Sequence, residues 1–156
     1  MRARAVPHSR EYADELARLI ARSRRLFWSE ASRRLEVRHE SMLDWQVLNR
    51  LRCEGALTQN ELAARTAQHP ARISRLLDRL ERAGQVRRTR EAEDRRKVHV
   101  ELTAKAHRRL AAIDPEVTIA SDNVLAPLSL SERRTLASLL TKLLEAQPRA
   151  PRNSRK

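Results

Sequence analysis

The chain has 156 residues, 40% of them apolar and 3% aromatic, with 33 Lys and Arg against 20 Asp and Glu for a net charge of +13. That length suits one domain, or a small DNA-reading unit with helices attached. Two glycines exclude a glycine-rich phosphate loop and one cysteine excludes an internal disulfide framework. No apolar run approaches the roughly 20 residues of a membrane span, and the amino-terminal apolar stretch is too short for a secretory signal, so a soluble, cytoplasmic chain is expected.

Residues 1–9 show no periodic pattern and are expected to be disordered. From Arg10 to about Glu36, Leu16, Leu19, Ile20, Ser23, Phe27 and Ala31 recur at helical spacing. Met42 to about Glu54 forms a second helix, striped by Leu43, Val47 and Leu51 and widened by Trp45 and Leu48, so that it is covered on more than one side. Thr58-Gln59-Asn60-Glu61 is a capping box opening a short helix that ends near Arg65. His69-Pro70 starts the next helix, since proline at the first helical position loses no needed hydrogen bond. That helix runs to Ala83 and stops at Gly84, a residue suited to the left-handed turn after a helix.

The period then changes to two. Val86, Arg88 and Arg90 alternate with Arg87 and Thr89; after a charged turn, Val98, Val100 and Leu102 alternate with Lys97, His99 and Glu101. This predicts a two-stranded antiparallel ribbon with a basic tip. Thr103 caps a helix to about Ile113, which Asp114-Pro115 either kinks or restarts. Ser129-Leu130-Ser131-Glu132 is a second capping box, and Leu136, Leu139, Leu140, Leu143 and Leu144 make one apolar face behind it. Residues 148–156 form a Pro-rich basic tail expected to be disordered.

The fold class expected from this order is mainly α with a small β-ribbon. Helix, helix, helix, ribbon, helix is a winged helix-turn-helix, here carrying long helices at both ends. Charge concentrates on it: residues 65–109 hold 14 Lys and Arg against 6 Asp and Glu, a net +8 of the chain's +13. Such a block suits a polyanion, because each phosphate contact releases condensed counterions.

Within Pro70–Ala83, Ile73, Leu76, Leu77 and Leu80 form a core face, while Arg72, Arg75, Arg79 and Arg82 line another. An α-helix fits the major groove, where Arg binds guanine bidentately and a serine sits close to other base edges. Arg72, Ser74 and Arg75, in the amino-terminal half, are candidates for base contacts; Arg79 and Arg82 are candidates for phosphates. Arg88 on the ribbon and its tip, Asp94, Arg95, Arg96 and Lys97, complete the expected DNA-binding set. A narrow minor groove attracts an inserted Arg, and Asp94 is placed to orient one.

These segments resemble the MarR family of transcriptional regulators. The matching runs are Leu57 to Ala63, Ile73 to Gly84, Val86 to Arg88, Glu93 to Val98 and Leu102-Thr103. By this resemblance Asp94 and Arg96 match the family's wing-tip Asp-x-Arg, and Ser74 and Arg75 match its recognition-helix pair. The sequence departs from the family pattern at Gln85, where an apolar residue is usual, at His69-Pro70, and at Ala106, where glycine is frequent. The resemblance implies a homodimer through helical regions 10–40 and 114–147, flanking a DNA-binding domain at 41–113. It also implies a sequence-specific repressor of double-stranded DNA at a pseudo-palindromic operator, released by a small aromatic or phenolic effector. Trp28, His39 and Trp45 are the candidate effector-binding residues; the alternative is that both tryptophans are core.

Cys53 ends the second helix with only Arg52 beside it, which favours an inert thiol. The five histidines and one cysteine make no recognisable metal set, and no nucleophile elbow or paired catalytic carboxylates occur. Neither an enzyme, a cofactor nor a membrane partner is expected. The competing reading is a winged helix used for protein–protein contacts or for non-specific DNA binding.

Overall fold

The computed structural model describes residues 8–90 and 98–146. Six helices and three strands run in the order α1 (His8–Val37), α2 (Met42–Glu54), β1 (Leu57–Thr58), α3 (Gln59–Thr66), α4 (Pro70–Arg82), β2 (Val86–Arg90), β3 (Val98–Leu102), α5 (Ala104–Leu125) and α6 (Leu130–Glu145). The chain divides into two compact units, Met1–Ser121 and Asp122–Lys156.

In the larger unit, a buried cluster joins α2, α3, α4, the strands and α5 through Leu48, Leu62, Ile73, Leu77, Val100 and Leu110, each fully buried. The core face expected of α4 is the one it buries: Ile73, Leu76, Leu77 and Leu80 all lie inside. Thr58 caps α3 as the sequence requires, accepting from the Glu61 amide (3.3 Å), while the Glu61 carboxylate accepts from the Thr58 amide at 2.8 Å. The Thr58 amide first, and then its hydroxyl donating to the same carboxylate at 2.9 Å, hold the Glu61 carboxyl below the ordinary glutamate range. A carboxyl whose folded pKa is depressed adds stability that is complete above its unfolded value and is lost as pH falls through the lowered one. Thr58→Ala is therefore expected to cost about 1 kcal/mol at neutral pH. In acid, where Glu61 is protonated in both forms, urea titration should show a smaller penalty.

The sheet corrects one expectation. The ribbon is not two-stranded: β1 adds to it in the order β1-β3-β2, all antiparallel, with Leu57 opposite Val100. Val86 pairs with Leu102 and Arg90 with Val98 at the other edge. The third strand ties the start of the helix-turn-helix to the wing, and Leu57 and Val100 are both buried there. Pro115 neither breaks nor restarts α5, which runs through it as one helix. Thr103 supplies the expected cap, accepting from the Ala106 amide at 3.3 Å and donating to the Gly84 carbonyl at 2.7 Å. Gly84 takes the left-handed conformation after α4, at φ +67°.

The amino-terminal helix starts at His8, two residues ahead of the expected boundary. The rest of the expected disordered segment, like the tail at 148–156, lies outside the described residues. In the smaller unit, Ser129 caps α6 with Glu132 reaching back to the Ser129 amide at 2.8 Å. Arg133 anchors that turn, bonding Asp122 at 3.1 Å and the Leu128 carbonyl at 3.2 Å.

Candidate nucleic-acid interface

The site is built on α4. Its approach is set by His69, whose Nδ1 accepts from the Ala71 amide at 3.2 Å, with Pro70 at the first helical position. The departure at His69-Pro70 thus keeps a side-chain cap on the helix. Because four core residues fix one face of α4 inward, its arginines are forced outward together. Arg72, Arg75, Arg79 and Arg82 line one open concavity of about 540 Å³ with Ser41, Leu43, Asp44 and Leu76.

These arginines differ in what engages them. Arg72 donates to the Gln68 side chain at 2.9 Å, which stiffens it near the amino end of the helix. Arg82 donates to the Asp78 carbonyl at 3.2 Å. Arg75 is exposed and has no hydrogen-bond or ion-pair partner among the described residues. Ser74, one residue before it, is half-buried. Arg79 is different: it grips Asp44 with both ends of its fork, at 2.9 and 2.5 Å. Hydrogen bonding to Asp44 raises the pKa of the Arg79 guanidinium further above its ordinary value.

Asp44 is buried and also receives Arg109 from α5 at 3.1 Å. Arg109 in turn binds Glu40 through Nε (3.0 Å) and through Nη2. Burial works against the Arg109 charge, but the hydrogen bonds it donates to Glu40 and Asp44 outweigh it. Two carboxylates and two guanidiniums thus tie α2, α4 and α5 together. Sequence reasoning passed over Asp44, although a signal was present: it stands four and seven residues before Leu48 and Leu51, on the apolar side of its helix. A charge at such a position must be paired.

Arg88, expected at the DNA, is half-buried and turned onto α4. It donates to Glu81 at 2.7 Å and Asp78 at 2.6 Å, and its amide donates to Glu81 as well. This clasp sets the base of the wing against the reading helix. Asp94, Arg95, Arg96 and Lys97 lie outside the described residues.

The candidate effector residues are not brought to the concavity. Trp28 is half-buried on α1, and His39 is exposed in the left-handed turn after it. Trp45 donates its indole N–H to Asp114 at 3.3 Å, and Arg52 binds the same carboxylate at 2.5 and 3.2 Å. Arg34 near the end of α1 and Arg38 just after it both bind Glu116, and Arg33 binds Glu30. Gln85 is buried with its side-chain oxygen unpaired, and Ala106 is fully buried at the glycine position.

Four arginines thus share one open face of α4, and Arg88 clasps the small antiparallel sheet to that helix. The MarR family profile matches residues 41–98, which span α2 to the start of β3. The uncharacterized HTH-type transcriptional regulator YfiV of Bacillus subtilis is 32% identical over 108 residues, covering 67% of this chain and 68% of that protein. The chain belongs to the MarR family. It is a DNA-binding transcriptional regulator with a winged helix-turn-helix.

Solved relatives agree. Wild-type apo MarR from E. coli is 25% identical and superposes with a TM-score of 0.74, covering 90% of this chain and 98% of that one. A mutant MarR from E. coli complexed with operator DNA is 27% identical (TM-score 0.67; 83% and 94% covered). A Mycobacterium tuberculosis MarR family protein in complex with salicylic acid is 26% identical (TM-score 0.71; 82% and 95% covered). Among the described residues no helix is long and apolar enough to cross a membrane, and no group of three His, Cys, Asp or Glu is placed to hold a metal ion.

Proposed function

We propose that this regulator is a homodimeric, sequence-specific repressor whose α4 reads the major groove, released by a small aromatic acid. The observation that carries the reading is the row of four arginines on one exposed face of α4, with Arg75 unengaged among the described residues. An unengaged fork on a helix of groove-fitting size is suited to bidentate recognition of guanine. Arg72 and Ser74 stand beside it, Arg82 serves the backbone, and Asp94, Arg95, Arg96 and Lys97 serve the wing.

The dimer is supported by the apolar surface of the terminal helices. Tyr12, Leu16, Leu19, Ile20 and Leu26 of α1 are exposed, as are Leu136, Leu139, Leu140, Leu143 and Leu144 of α6. A second copy of the chain covers both. The effector class is supported by the salicylic acid complex of the relative, with Trp28, His39 and Trp45 the residues on which an aromatic acid is expected to act.

Selection of bound duplexes from a random pool tests this reading. It should return a pseudo-palindrome with half-sites one helical turn, ~10 bp, apart. Salicylate added to the selection should deplete that motif. A pool that returns no motif, with affinity set by salt alone, would establish the non-specific alternative instead.

A further inference from the structure

Arg79 stands in the arginine row of α4, yet its fork is occupied from behind. We infer that Asp44 is a positioning residue that sets the salt dependence of binding, holding Arg79 off the phosphate backbone so that α4 engages DNA through Arg72, Arg75 and Arg82. The inference rests on α4 being the reading helix.

Several features make Asp44 a strong restraint. Its side chain is 1% exposed, whereas that of Arg79 is 54% exposed, so the cation is within reach of solvent while its anchor is not. Both nitrogens of the Arg79 fork are used, at 2.9 and 2.5 Å, which fixes the plane of the guanidinium as well as its position. Asp44 lies in the first turn of α2, where the helix dipole favours a carboxylate. Arg109 donates to the Asp44 Oδ2 that Arg79 also uses, and Glu40 holds Arg109, so the four charges cancel.

Moving Arg79 to a phosphate would leave Asp44, buried, with Arg109 as its remaining cation. Breaking a buried pair by withdrawing one partner is strongly unfavourable, by more than one added phosphate contact returns. Phosphate contacts carry no base information, so a cation withheld from them lowers affinity for every sequence alike. The contacts that discriminate, at Arg72 and Arg75, are untouched. Affinity and its salt dependence are therefore lowered together on every duplex, while the ratio of specific to non-specific binding stays the same.

The test compares the salt dependence of binding to a duplex selected from a random pool and to a scrambled duplex. The proteins are the parent, Asp44→Asn, Arg79→Gln and the double variant. Asparagine keeps the shape of Asp44 but releases the charge that holds Arg79. Asp44→Asn should steepen the slope of log K against log salt by about 0.9 per protomer. It should also tighten binding to the selected and the scrambled duplex by the same factor, so that their ratio is kept. Arg79→Gln alone should keep the parent's slope, and the double variant should return to it.

A folded Asp44→Asn protein with the parent's slope on both duplexes would overturn the inference. So would an Arg79→Gln protein whose slope is shallower than the parent's, since Arg79 would then already contact a phosphate. Should circular dichroism show Asp44→Asn unfolded, the Arg79→Gln slope decides alone. Arg75→Ala without effect on either duplex would instead overturn the assignment of α4 on which this rests.

Discussion

Arg75→Ala is expected to weaken operator binding more than any other single change on α4, and to leave the fold intact. Among the described residues Arg75 is exposed and makes no hydrogen bond or ion pair, so its removal breaks nothing in the free protein. Surface changes of that kind stay within about 0.5 kcal/mol of parental stability. On DNA the same side chain is the unengaged fork nearest the amino-terminal half of α4. A bidentate Arg–guanine contact discriminates by about 1–3 kcal/mol, and a symmetric dimer makes it twice. At about 1.4 kcal/mol per decade, the loss spans roughly one to four decades of operator affinity.

Arg75→Lys separates charge from geometry. Lysine keeps the phosphate-attracting charge but has no planar fork, so scrambled DNA should bind as before while the preference at one base position relaxes. Binding to an operator set varied at each position would show this as a flattened column in both half-sites. If both variants keep the parent's preference at every position, α4 is not the reading helix.

Much of this was legible from residue order because the controlling interactions are local. Both capping boxes, the glycine stop at Gly84 and the core face of α4 depend on residues within a few positions of one another. What residue order left out depends on distant partners. β1 is two residues long, too short to show a period of two, and exists because β3 lies beside it. Pro115 removes one helical hydrogen bond, but the preceding Asp114 is fixed by Arg52 and Trp45 from α2, and the helix continues.

The arginines show the same limit within the site. The spacing of Arg72, Arg75, Arg79 and Arg82 places them on one face, which the structure also shows. Spacing alone is silent on which of them already has a partner. Arg79 meets a carboxylate 35 positions away, and Arg88 returns to carboxylates on α4. A basic stripe therefore does not tell which of its cations are already paired in the free protein. Spacing is equally silent on the partners of Trp45, which donates to Asp114, and of Arg33 and Arg38, which bind Glu30 and Glu116.

Two glutamates placed on α6 should cost the regulator its operator while sparing each half-site contact. Leu139 and Leu143 lie one turn apart and are 61% and 50% exposed, so Leu139→Glu with Leu143→Glu buries no charge within the protomer. In a dimer that covers this face, the same pair places like charges against each other and against apolar surface. Sedimentation should then report the 18.1 kDa protomer where the parent reports twice that mass.

The effect on DNA follows from effective concentration. When one protomer is seated, the second half-site binds intramolecularly, and that linkage contributes about 10²–10⁴ in affinity without any new contact. The variant should lose this factor on the full palindrome and bind an isolated half-site as the parent protomer does. That split distinguishes a lost dimer from a damaged reading helix, which would weaken both. A parent that sediments as a monomer at micromolar concentration, or a variant that stays dimeric with full operator affinity, would sink the assignment of this face to a second copy. In either case the exposed leucines of α6 would need a different occupant.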